Sequence, residues 1–562
     1  MKTKYSLFLM TAALLLGSCA DDNVPEYTVD MPEKVLSSDS LNAYGPLKGY
    51  VDRSKYPSFK MGGETNARSF NELGQVYALD KANFDELVTG NAFKYASVVA
   101  SDGTMDFSTV EQFVQNATKA GLSVYGHTLC WHSQQQVAYL KGLITDPNAA
   151  RHVLHVNIPS AKANLWDWEL YVNPAKTMES GKTYTLKMRV KGTQDYNITV
   201  WPQGAGGTQY WPTPSVPVTT EWTNISSPFK ANQNLTQLRF ELGTYGGELW
   251  FDDVQLIDPD GNNIIANGTF EEDGLDGWTK PAWHDYTLNV VTDPDQGSEG
   301  GGFTEEVKKD TLTWALNNFI SGMMHACNGK VRAWDVVNEP MSDAAPSELK
   351  TAGRDGSDKE CFFWQDYLGK DYARTAVRLA REAATDTVPL TLFVNDYNLE
   401  AAYNGNAKCK GLIDMIKYWE SDGVTKIDGI GSQMHVTYSM NPATQKANED
   451  AYVNMLHLLA ATGKLVRISE LDMGIADADG HTIHTADVTA EQHRLMAKYY
   501  KFIVEKYLEI IPPAQQYGIT AWGITDSPAG SGWRPDEPIG LWDTNYNRKP
   551  AYAGFCDGLQ GQ

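Results

Sequence analysis

From about residue 41 the chain alternates two patterns. Short, continuously apolar runs are followed by longer stretches in which apolar residues recur every three to four positions. The runs KMGGETN (60–66), KYASVVA (94–100), LSVYGHT (122–128), VRAWDVVN (331–338), LTLFVND (390–396), GIGSQMH (429–435), KLVRISE (464–470) and GITAWGI (518–524) read as buried strands. Stretches such as DTLTWALNNFISGMMHA (310–326), DYARTAVRLAREAAT (371–385) and AEQHRLMAKYYKFIVEKYL (490–508) carry the helical period. Eight strands alternating with helices predict an α/β chain folded as a (β/α)₈ barrel over 41–140 and 303–560. Its chemistry then belongs at the C-terminal ends of strands, where Glu339, His435 and Glu470 fall.

The pattern changes between 141 and 302. There HVLHVNI, TYTLKMRVKG, YNITVWPQ, LTQLRFELG and ELWFDDVQLI alternate apolar and polar positions between turn residues. This predicts a β-sandwich inserted in the loop after the third barrel strand, where long insertions are tolerated.

Two acidic motifs close apolar strands: VRAWDVVNEP, with Asn338 and Glu339, and KLVRISELDM, with Glu470 and Asp472. A carboxylate at the rim of a core is partly desolvated, which moves its pKa toward acid/base or nucleophilic work. Two facing carboxylates are the machinery of glycoside hydrolysis. Strand-end acids paired with Arg or capping helices have the same local pattern.

Six segments decide between these readings. GHTLCWHSQ (126–134), WDVVNEP, VNDYNLE (394–400), GSQMH (431–435), ISELD and AWGITDSPAGSGW (521–533) resemble, in order, motifs of family 10 glycoside hydrolases, the endo-β-1,4-xylanases. The resemblance implies retaining hydrolysis of xylan or arabinoxylan without a cofactor, Glu339 being the acid/base and Glu470 the nucleophile. A β-glucanase on the same machinery, or a catalytically silent glycan-binding lipoprotein, are the alternatives. The resemblance also implies that His435, oriented by Asp472, bonds Glu470. Asn91, Lys94, His127, Asn338 and Gln433 become sugar donors, and Trp131, Trp522 and Trp533 aromatic walls. One departure stands out: TGNAFKY keeps Asn91 and Lys94 of a Glu-Asn-x-x-Lys pattern but has Gly90 in place of the Glu.

GKTYTLKMRVKG and LWFDDVQL resemble jelly-roll carbohydrate-binding modules, which implies glycan stacking. Trp166, Trp168, Trp201, Tyr210 and Trp211 are the stacking candidates. Asp253 and Glu271 resemble structural calcium ligands. IIANGTFEEDGLDGW (264–278) resembles such a module's opening, yet follows its usual end, as in a circular permutation or the remnant of a second module.

Charge and cysteines narrow the setting. A net charge of −23 leaves no basic face for phosphates and argues against nucleic acid. Residues 1–18 read as a signal peptide ending in LLGSC, which resembles a lipobox with Cys19 lipidated. Asp21 and Asp22 resemble the export signal of Bacteroidetes surface lipoproteins, so an outer-membrane, surface-exposed lipoprotein with a tether over 19–40 is expected. The other five cysteines form neither a metal pattern nor a disulfide framework.

Overall fold

The computed structural model describes residues 33–145, 151–204, 215–271, 274–295, 303–384 and 389–561. The chain divides into two compact units, Met1–Val137 with Ala315–Gln562, and Ala138–Trp314. Cys19 lies outside the described residues, as do Tyr210 and Trp211. Residues Glu33–Asn42 are helical where a tether is expected, because the chain runs without proline between Pro32 and Pro46. Among the described residues no helix is long and apolar enough to cross a membrane.

In the first unit eight parallel strands follow one another around a closed barrel. They are β1 (Lys60–Thr65), β2 (Glu86–Thr89), β3 (Ser123–His127), β4 (Ala333–Asn338), β5 (Thr391–Asp396), β6 (Gly429–Ser432), β7 (Leu465–Ala476) and β8 (Gln516–Ala521), and β8 returns to β1. A further strand, His435–Ser439, pairs with the outer half of β7. The surrounding helices bury one stripe each. Ser108–Ala120 turns Val110, Phe113, Val114 and Ala117 inward and stops at Gly121, whose φ of 79° suits glycine. Each such large side chain contributes about 1.5–3 kcal/mol on full burial.

The second strand corrects the sequence reading. KYASVVA is not a strand. Tyr95–Val98 forms a short helix after β2, and the Tyr95 ring packs 4.9 Å from Phe319. The strand is ELVT (86–89), four buried residues opening on an acid. Burial of Glu86 is sustained inside the barrel, where Tyr517 and Ser123 donate hydroxyls to its Oε2 at 2.9 and 3.2 Å. Nearby, the Arg467 guanidinium lies 3.4 Å from the Tyr125 ring centre.

The second unit is a sandwich of two five-stranded antiparallel sheets. One contains Glu169–Val172, Tyr196–Gly204, Ser215–Val218, Leu235–Glu241 and Trp278–Thr279. The other contains His152–Ile158, Thr183–Gly192, Thr223–Lys230, Gly247–Ile257 and Thr287–Thr292. The late segment completes both sheets: Trp278–Thr279 pairs with Glu169–Val172, and Thr287–Thr292 with His152–Ile158. Phe270 and Trp278 are buried in the common core, so this segment belongs to one sandwich rather than to a separate remnant.

Candidate active site

The strand ends of the barrel open on a cleft of about 1200 Å³. Glu339 directly follows β4 with φ of 52°, an uncommon left-handed conformation for a glutamate. Its N–H is held by the Asn395 carbonyl at 2.7 Å. Trp131 donates its indole N–H to Oε2 at 3.0 Å, Gln433 its amide to Oε1 at 3.0 Å, and the Lys350 ammonium lies 3.6 Å from Oε2. Burial works to raise this carboxyl. The Lys350 charge, the neighbouring His132 and the two donors outweigh burial and hold it at about 2.

Glu470 lies within β7 and is fixed at both oxygens. Asn395 donates to Oε1 at 2.9 Å, and His435 Nε2 lies 3.2 Å from Oε2. The other ring nitrogen of His435 meets Asp472 Oδ2 at 2.9 Å. Burial opposes charge on this imidazole, but Asp472 and Glu470 raise it to about 10, so it is a cation at neutral pH. Burial likewise opposes charge on Glu470. The bond from the charged His435, with His127 nearby, prevails and lowers it.

The remaining sequence-derived residues gather around this pair. Lys94 Nζ sits 4.7 Å from the Trp131 ring centre and 3.4 Å from Asn91 Oδ1. His127 bonds Asp335 at 2.8 Å, with its ring 5.7 Å from Trp522. Trp533, 45% exposed, donates its indole N–H to Asp472 at 2.9 Å and lies 4.5 Å from the His435 ring. Asn338 is buried. Its Oδ1 takes a bond from Asn395, and its amide lies 3.4 Å from Glu339.

Several partners escaped the sequence. Arg534 donates to Asp472 Oδ1 at 2.7 Å and so braces the acid that orients His435. Lys350 and His132 set the charge state of Glu339, and Glu64 lines the same cleft. Asn395 lies in the quoted VNDYNLE segment, which marked the strand but not the amide that joins both acidic strands.

In the sandwich, the sheet containing Leu235–Glu241 has one apolar face in the core. Its other face carries Tyr171, Arg239 and Trp201 in register. Trp166, 52% exposed, lies 6.4 Å from Trp201, ring centre to ring centre. Trp168 corrects the reading. It is only 6% exposed and ties the fold by donating its indole N–H to the Ser160 carbonyl at 3.0 Å. Trp283, 79% exposed, was missed. Asp253 and Glu271 are already engaged: Arg151 reaches Asp253 at 2.8 Å, and Glu271 accepts from the His152 backbone and ring at 2.8 and 2.9 Å. Among the described residues, side chains grouped with metal-ligand spacing are Asp477, Asp479 and His481 instead.

Comparison with known proteins bears on the family and the fold. The model of Glycosyl hydrolase family 10 matches residues 52–166 and 283–558. Endo-1,4-beta-xylanase A of Cellvibrio japonicus is 35% identical over 42% of this chain and 38% of its own length. Endo-beta-1,4-xylanase Xyn10C of Cellvibrio japonicus is 32% identical over 44% and 40%. The chain thus spans about two fifths of the length of these curated relatives. The solved structure of xylanase B from Clostridium stercorarium F9 shares the fold, with a TM-score of 0.53 and 18% identity over 92% of this chain and all of that one. With its family model matched over most of its length, the chain belongs to glycosyl hydrolase family 10.

Proposed function

We propose that the barrel cleaves β-1,4-xylosidic bonds within xylan chains, with retention, by double displacement. The observation that carries this is the meeting of two buried carboxylates, each from the end of its own barrel strand, in one cleft. Glu470 is pinned ionised between an amide and an imidazolium, as a nucleophile requires. Glu339 takes the acid/base role. At about 2 it rests ionised, and an acid must start protonated. A sugar seated against it adds desolvation, the effect that already acts upward, and the charge of Glu470 acts in the same direction. Curated relatives named endo-1,4-beta-xylanases support the substrate class. Purified protein is expected to release reducing sugar from xylan and arabinoxylan faster than from cellulose or mixed-linkage glucan. Preference for a glucan would move the substrate, and no release from any of them would end the enzymatic reading.

The sandwich is read as a xylan-binding module that stacks sugar rings on Trp166 and Trp201. Calcium at Asp253 and Glu271 would have to displace Arg151 and His152, and an unchanged melting temperature in chelator would remove it. Lipidation at Cys19 predicts that Cys19→Ala moves the protein from the membrane to the soluble fraction. Protease shaving of intact cells then tests surface display.

A further inference from the structure

One carboxylate of the cleft has no part in the proposed chemistry. Glu64 is on β1, and Gly90 follows the neighbouring strand β2, with Glu64 opposite Val88. Glu64 Oε1 accepts the Gly90 N–H at 3.1 Å. A Cβ on Gly90 would come within 2.7 Å of that same oxygen. The Gly90 backbone is not in the left-handed region, so glycine here provides room rather than conformational freedom. The room is taken by the carboxylate of Glu64.

Glu64 is half-buried, with an edge on the cleft. It also lines a side pocket of about 270 Å³ together with Asn66, Gly90 and Asn91. Backbone N–H groups of Gly90 and Gly523 serve it, while a carboxylate has about four acceptor sites. Acceptor capacity is left for a ligand. Burial raises it to about 7, so near neutrality it can both donate and accept. Glu64, Lys94, Glu339 and Glu470 line the same cleft, which puts Glu64 on its wall with the reacting pair.

We propose that Glu64 is the specificity-determining acceptor for the sugar unit adjoining the one attacked, its carboxylate delivered from β1 because Gly90 after β2 leaves the space. This rests on the xylanase reading. A sugar bound there meets Glu64, Asn91 and Lys94 through its hydroxyls, and a carboxylate at 90 would reach the same place from the other strand.

The test compares kcat/KM for an aryl β-xylobioside and an aryl β-xyloside in the full-length protein. Glu64→Ala is expected to lose about 10- to 100-fold more on the xylobioside than on the xyloside, the range of a charged hydrogen bond. Gly90→Glu alone crowds two acids and should be impaired as well. The double variant E64A/G90E is expected to recover most of the xylobioside loss. Equal losses on both substrates, or a folded double variant without recovery, would overturn the proposal. If Glu64→Ala does not fold, Glu64→Gln carries the same comparison. A wild-type protein inactive on both substrates refutes the xylanase reading itself and the inference with it.

Discussion

Three acids of the barrel cleft and Glu241 of the sandwich sheet are buried under opposite electrostatics. Glu339, Glu470 and Asp472 each have cationic or N–H partners, which keep them ionised despite burial. On the sandwich sheet, Glu241 is fully buried and neither carboxylate oxygen has a hydrogen-bond partner. Burial, joined by the charge of Glu169, pushes it up to about 8. Desolvation alone therefore does not make a reactive acid. A buried acid that is to stay charged needs built counter-charges, whereas one without them is pushed toward its neutral form.

Removing charge from the cleft should be the most damaging change. Glu470→Gln is expected to lower xylan turnover by roughly 10⁴- to 10⁶-fold, since no covalent intermediate forms. Glu339→Gln should cost about 10²- to 10⁴-fold on xylan and far less on aryl glycosides with good leaving groups. Identical leaving-group dependence in the two variants would reverse or dissolve the assigned roles. In the sandwich the corresponding loss is aromatic. Trp166→Ala and Trp201→Ala should each weaken retention of the full chain on insoluble xylan by roughly 10-fold, the scale of a lost stacking contact. Unchanged retention would leave the sheet face without a ligand.

Titration sharpens the contrast further. His435 is raised from 6.5 to about 10 in the fold. Its stabilisation is fully present below pH 6.5 and lost as pH rises through 10. The melting temperature of the wild type should exceed that of His435→Asn by several degrees at about pH 6, with the gap narrowing toward about pH 10. A constant gap would deny the imidazolium. Glu241, also raised, stabilises fully below its ordinary pKa and loses that contribution as pH rises through about 8. Glu241→Gln should flatten the fall in melting temperature of the sandwich between about pH 6 and 9, the smallest of these effects.

Strand-end acids in apolar runs were legible because β4 and β7 are long and buried, and periodicity reports burial. Strand β2 was not, since four residues headed by Glu86 look polar until Tyr517 and Ser123 arrive from β8 and β3. Arg534 and Lys350 stand on loops, where no spacing rule announces which carboxylate a cation will reach. Trp168 misled because an aromatic beside a strand reads alike from either face, and only the register of its neighbours turns it inward. Gly90 was visible as a missing acid. That the Glu64 carboxylate lies beside it was not, because the two positions are far apart in sequence and become neighbours only by pairing of β1 with β2.

The pairing of the sandwich's first and last strands has a consequence for its two ends. Thr292 stands opposite His152, and the Asp293 N–H donates to the Arg151 carbonyl at 2.7 Å. The first and last strands of the sandwich therefore meet at a single rung, about 5 Å wide. With the last strand beside the first, the two ends of the sandwich are close enough for a short turn to join them.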